Sequence, residues 1–376
     1  MRIGIDARLA FGDSTGLGTF SRRLVDALSR HDSGNEYVLY VDRPTPPVEL
    51  PENVRVELVP GQSRIAWTNL RLPRVLRRDR IDLYHAVANF ELPLAFRGLK
   101  VLTVHDLVPL RFPATVPWKH RLFFHLFTRP ALAAADRIVA ISAHTRDEIV
   151  AAYGIPAASI DVVPNWVTEA FHPRQRDTSR ETGAPRARSR HGLVDDYFVF
   201  VGVREPKKNL DRLLEAFAAL GSPRGRRCQL ALVGPPGWST DDLEGRVRSL
   251  GIGDRVVFTG RVPEADLIEL LQDARALVFP SLSEGFGLPV LEAMACGTAV
   301  IAARAGALPE VAGDAALLVD PLAVSDIAAA MARLLEDEEL ARVLGARGQA
   351  RAGRWNAAAA AERWVALYLE LFNAVP

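Results

Sequence analysis

The amino-acid sequence predicts an α/β protein built from two doubly wound, Rossmann-like domains in tandem. Three observations predict it. Short apolar runs alternate with helical patterns along most of the chain. That alternation stops once, in the polar stretch RQRDTSRETGAPRARSRH at Arg174–His191, and then restarts. The candidate ligand-binding residues sit in the loops that follow the apolar runs. In an open parallel sheet these loops lie at the carboxyl ends of the strands, where ligands gather.

The elements follow in order. Arg2–Asp6 reads as a strand, followed by the glycine-bearing loop Asp13–Thr19 and a helix over Phe20–Arg30. Tyr37–Val41, Val54–Leu58, Ile81–His85, Val101–His105 and Arg137–Ile141 read as further short strands. Helical patterns around Trp67–Arg78, His120–Ala135 and Ala143–Tyr153 lie between them. After the polar break come the strand Tyr197–Val201 and the helix Leu210–Ala219. The strands Gln229–Val233, Val256–Thr259, Ala276–Phe279 and Thr298–Ile301 complete the second domain. The alanine-rich pattern Asn356–Leu371 puts Trp364 and Tyr368 on one helical face, and it is expected to cross back onto the first domain. The expected boundaries are 1–173 for the first domain with helix 356–376 returning to it, 174–192 for the linker and 193–355 for the second domain. Two such domains imply a central cleft between their strand ends.

Composition excludes several functions. A net charge of +1 over 376 residues is too small for a dedicated nucleic-acid binder. Cys228 and Cys296 stand far apart without metal-ligand spacing, which points to a reducing compartment and no disulfide framework. Asp6 interrupts the apolar N-terminal stretch, so no signal peptide is expected there. No apolar run reaches the roughly 18 residues of a membrane span. A cytoplasmic protein is expected, with attachment to the inner face of a membrane left open.

The most informative segment is ALVFPSLSEGFGLPVLEAMACGTAVIAA at Ala276–Ala303. It reads as strand, glycine-rich loop, short helix and strand. Pro289 suits the first helical position, and Gly297 suits the helix end. The amides around Gly285, Phe286, Gly287 and Leu288, together with the helix start, form a site for an anion such as a phosphate. Glu284 and Glu292 stand in the same apolar, tightly turned unit. Buried carboxylates need donors, and sugar hydroxyls supply them. A sugar nucleotide offers both phosphate and hydroxyls.

Other loops contribute candidates. Gly16 and Gly18 permit close backbone approach to a phosphate or sugar, or serve a tight turn. His105 ends a strand, where it could bond a sugar hydroxyl or handle a proton. Arg204, Lys207 and Lys208 stand between a strand and a helix start, where cations oppose the helix dipole and so need a further reason. They suit a leaving diphosphate, and Lys208 is the first choice. Gly234, after Gln229–Val233, borders a nucleobase or simply turns; Glu310 is equally a cap or a ligand contact. Two basic, aromatic stretches, Arg64–Arg80 and Trp118–Arg129, each suit either an anionic lipid surface or a helix with its apolar face in the core. The core reading is the expectation for both.

EGFGLPVLE, spanning Glu284–Glu292, is a Glu-x7-Glu motif, and with it the chain resembles the family-four retaining glycosyltransferases of the GT-B fold. The flanking AMACGTAVIA and GALPEVAGDAALLVDP, with VVPNWV and GVREPKKNL, extend the resemblance to essentially the whole chain. The resemblance implies that Glu284 contacts the transferred sugar and that Glu292 binds the ribose hydroxyls. It implies that Arg204 and Lys208 contact the diphosphate, that Gly16 lies beneath it, and that His105 sits beside the donor sugar. HDLVPLRFP resembles a bacterial branch of mannosyl- and rhamnosyltransferases of surface-polysaccharide assembly. The expected activity is therefore transfer of a hexose, with GDP-mannose as first choice of donor, to a glycan or lipid-linked saccharide. No Asp-x-Asp or His cluster stands at a strand end, so no metal or other cofactor is expected. A sugar-nucleotide epimerase of the same fold, or a non-catalytic sugar-nucleotide binder, is the alternative.

Overall fold

The computed structural model describes residues 1–11, 16–46, 49–61, 63–89, 91–113, 116–174, 186–193, 196–237 and 242–374. Asp13–Thr15 of the first glycine loop, residues 175–185 of the polar break and Trp238 lie outside this set.

The chain divides into two compact units, Met1–Trp166 with Ala357–Pro376, and Val167–Asn356. In the first unit seven parallel strands are β1 (Arg2–Asp6), β2 (Glu36–Val41), β3 (Val54–Leu58), β4 (Leu83–Ala86), β5 (Leu99–Val104), β6 (Arg137–Ala140) and β7 (Ile160–Val162). Their spatial order is β3-β2-β1-β4-β5-β6-β7. The order reverses between β1 and β4, so a crevice opens there at the carboxyl ends of the strands. β4 is buried throughout as LYHA, the continuous pattern of a strand covered on both faces.

The second unit holds β8 (Tyr197–Val201), β9 (Gln229–Val233), β10 (Val256–Gly260), β11 (Ala276–Phe279), β12 (Val300–Ala303) and β13 (Leu317–Val319). They form a six-stranded parallel sheet in the order β10-β9-β8-β11-β12-β13. Here the order reverses between β8 and β11, which pair as Ala276 with Phe198 and Leu277 with Val199. β9, β11 and β12 are wholly buried.

Several elements differ from the sequence reading. The helix after β1 begins at Gly16, so Gly16 and Gly18 lie in its first turn rather than in a loop. β7 and β13 have only three residues each, too short to register as apolar runs. The helix Ala357–Asn373 packs within the first unit, its Trp364 at 6.4 Å from Phe20 and 4.6 Å from His85 between ring centroids. His85 bonds Tyr368 Oη and Thr103 Oγ1, each at 2.7 Å, and burial pushes its imidazole down to about 3. A polar strand residue in a core is thus satisfied by the returning helix.

Candidate functional site

In the second unit the loops after β8 and β11 meet across the reversal of strand order. Lys208 ends a short 3₁₀ turn, Pro206–Lys208, and its Nζ donates to Glu284 Oε1 at 2.6 Å. Both side chains are only 11% exposed, so the pair is buried. Nζ also lies 4.8 Å from the centroid of the Phe279 ring, which closes one side of the ammonium. Burial pushes the Glu284 carboxyl up, but Lys208 and then Lys207 outweigh it and hold it below its ordinary value. A charged carboxylate is thus kept in an apolar crevice.

Backbone contacts lock these loops together. Asn209 takes a left-handed conformation ahead of the helix Leu210–Ala218, and its Nδ2 donates to Pro280 O at 3.1 Å and Pro321 O at 2.6 Å. One carboxamide therefore ties the ends of β8, β11 and β13. Leu282 N donates to Lys207 O at 2.8 Å. Ala307 N donates to Glu284 O at 2.9 Å, and a Cβ on Gly306 would stand 2.6 Å from both N and O of Glu284. Only glycine fits there, and its φ of 59° is left-handed as well. Gly306 was not singled out from sequence as a determinant of the site, because the clash it avoids is with a residue far away in the chain. Gly234 has the same kind of role after β9, where a Cβ would collide with the Gly202 carbonyl oxygen.

The helix Leu288–Ala295 starts after Gly287, and residues 283–287 are buried. Val290 N already bonds Gly287 O, and Pro289 has no N–H to place. Phe286 packs its ring edge-on against Trp355 at 6.1 Å. Glu292 is buried on this helix and, after burial itself, is the second cause that pushes the Cys296 thiol up to about 12. Both cysteines are buried and free, and burial likewise raises Cys228 to about 12, so neither is poised as a nucleophile.

Arg204 is engaged elsewhere in the same unit. Its Nη1 donates to Glu244 Oε1 at 3.1 Å, and its guanidinium lies 5.1 Å from the centroid of the Phe258 ring. Lys208 and Lys207 are thus the cations gathered at Glu284, while Arg204 lies beside β10. Glu310 sits in the helix Leu308–Ala312, and its carbonyl accepts from Arg351 Nη2 at 2.6 Å.

In the first unit His105 follows β5. Its Nε2 bonds Val87 O at 2.8 Å, and a carbonyl only accepts, so Nε2 carries the proton and Nδ1 is an acceptor. Burial lowers the imidazole to about 4, although the Val87 carbonyl and Asp106 both favour the cation. Asn89 pins the turn by accepting from His105 N and donating to Asp106 O, each at 2.8 Å. Phe20 stands edge-on to the ring at 4.6 Å. His105 is therefore a fixed, neutral hydrogen-bonding group at neutral pH.

Sequence reasoning missed the cluster at the reversal between β1 and β4. Arg8 donates to Asp6 through Nε at 2.9 Å and Nη2 at 2.6 Å, and it also pairs with Glu91, which Arg64 reaches too. Asp6, Arg8 and Glu91 are all buried, and the Arg8 guanidinium lies 3.9 Å from the centroid of the Trp67 ring. The D-x-R spacing after β1 was the available signal, but its partner Glu91 is remote in sequence. Among the described residues no group of three or more His, Cys, Asp or Glu is placed to hold a metal ion.

Comparison with known proteins adds to this geometry. A family model described as glycosyl transferases group 1 matches residues 185–351, and one described as glycosyltransferase family 4 matches residues 14–171. O-antigen chain mannosyltransferase B of Escherichia coli is 32% identical over 279 residues, which cover 74% of this chain and 72% of that one. The MMP α-(1→4)-mannosyltransferase of Mycolicibacterium hassiacum is 34% identical, covering 76% of this chain and 69% of that one. Among solved structures, sucrose-phosphate synthase from Thermosynechococcus elongatus aligns with a TM-score of 0.80 at 23% identity, over 99% of both chains. Anabaena HepE in complex with UDP and glucose aligns with a TM-score of 0.74 at 20% identity, over 98% of this chain and 99% of that one.

Proposed function

Because this chain belongs to the glycosyltransferases of group 1 and family 4, with the GT-B fold, we propose that it moves a hexose from a nucleotide diphosphate sugar to a glycan or lipid-linked saccharide of a surface polysaccharide. The observation that carries this reading is the buried Lys208–Glu284 pair at the switch point of the second sheet, with Glu292 buried one short helix away. An uncompensated anion site would not hold two carboxylates. A ligand with phosphates and hydroxyls uses both charges.

The roles follow from the groups. Lys208 Nζ has three N–H donors and gives one to Glu284, so others remain for diphosphate oxygens. Glu284 accepts from a hydroxyl of the transferred hexose, and Glu292 accepts from the ribose hydroxyls. Residues 285–288 receive phosphate oxygens through their amides. Lys207 adds positive potential, and Arg204 reaches the diphosphate after leaving Glu244. Gly234 borders the nucleoside. His105, neutral and with Nδ1 as its acceptor, takes a sugar hydroxyl, and Gly16 and Gly18 allow a ligand close approach to the backbone at their helix start. In the transfer the bond from the anomeric carbon to the leaving phosphate oxygen breaks, and the bond to the acceptor oxygen forms on the same face. The acceptor proton passes to a phosphate oxygen, so the configuration is retained without a protein nucleophile. Lys208 stabilises the charge that develops on that phosphate.

The names of the related mannosyltransferases favour mannose as the transferred hexose, UDP in the complex of the HepE neighbour supports a nucleotide diphosphate donor, and GDP-mannose is the first choice of donor to test. No metal is needed where lysines supply the charge. The protein works on the cytoplasmic side of a membrane and attaches to it peripherally; among the described residues no helix is long and apolar enough to cross one.

The test is incubation with GDP-mannose, UDP-sugars and dTDP-sugars, with and without a lipid-linked acceptor and with a chelator. Donor- and acceptor-dependent product with the same anomeric configuration as the donor, undiminished by the chelator, is expected. Inversion would refute the front-face route. A changed sugar nucleotide formed without acceptor would replace this reading by an epimerase, and donor binding without turnover would replace it by a sensor.

A further inference from the structure

Both basic, aromatic stretches give residues to the core, and they differ in what they leave outside it. In Arg64–Arg78, Trp67, Leu72 and Leu76 are fully buried, which matches the core reading. In the helix Trp118–Ala134 the core takes Phe124, Thr128, Ala131 and Leu132. The remaining surface carries Trp118, Leu122 and Leu126, exposed by 64%, 48% and 56%, with Phe123 beside them at 39%. The spacing of Trp118, Leu122 and Leu126 puts them on one stripe, a turn apart. Exposed apolar residues scattered singly are ordinary, whereas a stripe of a tryptophan and two leucines on one helix is not.

The charged residues of this helix have one sign. Lys119, Arg121 and Arg129 are all exposed, His120 and His125 lie among them, and the helix contains no Asp or Glu. An apolar stripe edged by cations, with a tryptophan at one end, complements the boundary between acyl chains and anionic headgroups. A protein partner of ordinary mixed charge would gain nothing from that uniform sign. We propose that the helix Trp118–Ala134 docks on the surface of an anionic lipid bilayer, inserting Trp118, Leu122 and Leu126 among the headgroups. The helix has 17 residues and a part of its face in the core, so it lies on the bilayer and does not cross it. This inference names the surface for the peripheral attachment proposed above, but it does not depend on the donor chemistry, because lipid binding is read without any donor.

The experiment is flotation of the full-length protein with vesicles of phosphatidylcholine alone and of phosphatidylcholine with phosphatidylglycerol, at low and high salt. Binding is expected to the anionic vesicles and to weaken with salt. Each of Trp118→Ser, Leu122→Ser and Leu126→Ser should weaken partitioning by roughly tenfold, from the area each would bury. Trp118→Phe keeps the apolar area, so it should retain binding while losing the component of tryptophan fluorescence quenched by brominated lipid. That readout stays available if a serine variant fails to fold. A protein that remains unbound, or serine variants that float as well as the wild type, would overturn the proposal. So would a dimer in light scattering that these substitutions dissociate while vesicles are ignored, since the stripe would then belong to a second copy of the chain.

Discussion

Replacing Lys208 with Met removes the ammonium while keeping an aliphatic stem over Phe279. In the native protein Nζ is 2.6 Å from Glu284 Oε1 and both side chains are 11% exposed. Breaking a buried pair by deleting one partner costs about 3–5 kcal/mol, because the other charge is left without compensation. Lys207 also lowers Glu284 and remains in the variant, so the lower end of that range applies. For a unit of this size about 3 kcal/mol corresponds to a fall in Tm of roughly 6–12 °C. The dependence on pH gives a second signature. In the wild type the Glu284 carboxyl lies below its ordinary 4.5, so its stabilising contribution is present above that value and is lost as pH falls through the folded pKa. With Lys208 gone, burial dominates and pushes the carboxyl up, so the variant recovers stability as the carboxyl is protonated. The gap in Tm between the two proteins should therefore narrow as pH is lowered from neutral towards the carboxylate range. Turnover should fall by roughly 10²-fold if the ammonium stabilises leaving-group charge. Calorimetry and a donor-dependent transfer assay read the two effects. The double variant Lys208→Met/Glu284→Gln separates them, since it should recover stability without recovering turnover. Recovery of both would refute the phosphate role and leave the pair structural. An unchanged rate in the single variant would transfer that role to Lys207 or Arg204.

Three other outcomes are expected. Glu292→Gln should weaken nucleotide-sugar binding about 10- to 100-fold in titration calorimetry, the scale of a lost charged hydrogen bond, and unaltered affinity would sink the ribose assignment. His105→Ala should lower kcat/KM, and the wild-type profile should show no inflection from this imidazole between pH 6 and 8, because burial holds it at about 4. Its ordinary value is 6.5, so the unfolded chain takes up the proton first, and stability should decline as pH falls from 6.5 towards 4. Gly306→Ala should lower Tm and raise the donor KM, since its Cβ would stand 2.6 Å from the Glu284 backbone; a variant with native Tm and KM would show that this approach does not set the Glu284 position.

Much of the architecture was legible from local pattern. Strands such as Tyr197–Val201 and Ala276–Phe279 appear at the bounds that their apolar runs predict, because a strand buried on both faces needs an unbroken run. Glu284 and Glu292 were legible because a carboxylate in an apolar, tightly turned segment is anomalous within a few residues of sequence. Lys208 could be preferred over Lys207 but not separated from it by spacing. The three-residue strands β7 and β13 escaped notice, since so few residues carry no period. Trp118–Arg129 and Arg64–Arg80 looked alike in sequence, and packing sent Trp67 into the core but left Trp118 outside. Local periodicity and turn chemistry thus sufficed for two Rossmann-like units and for the loop that bears the glutamates. The order of strands brought Lys208 to Glu284, and Arg8 to Glu91, across the two reversals of the sheets. Those contacts join residues 76 and 83 positions apart, and a sequence records spacing along the chain, not the crossover that brings its distant ends together.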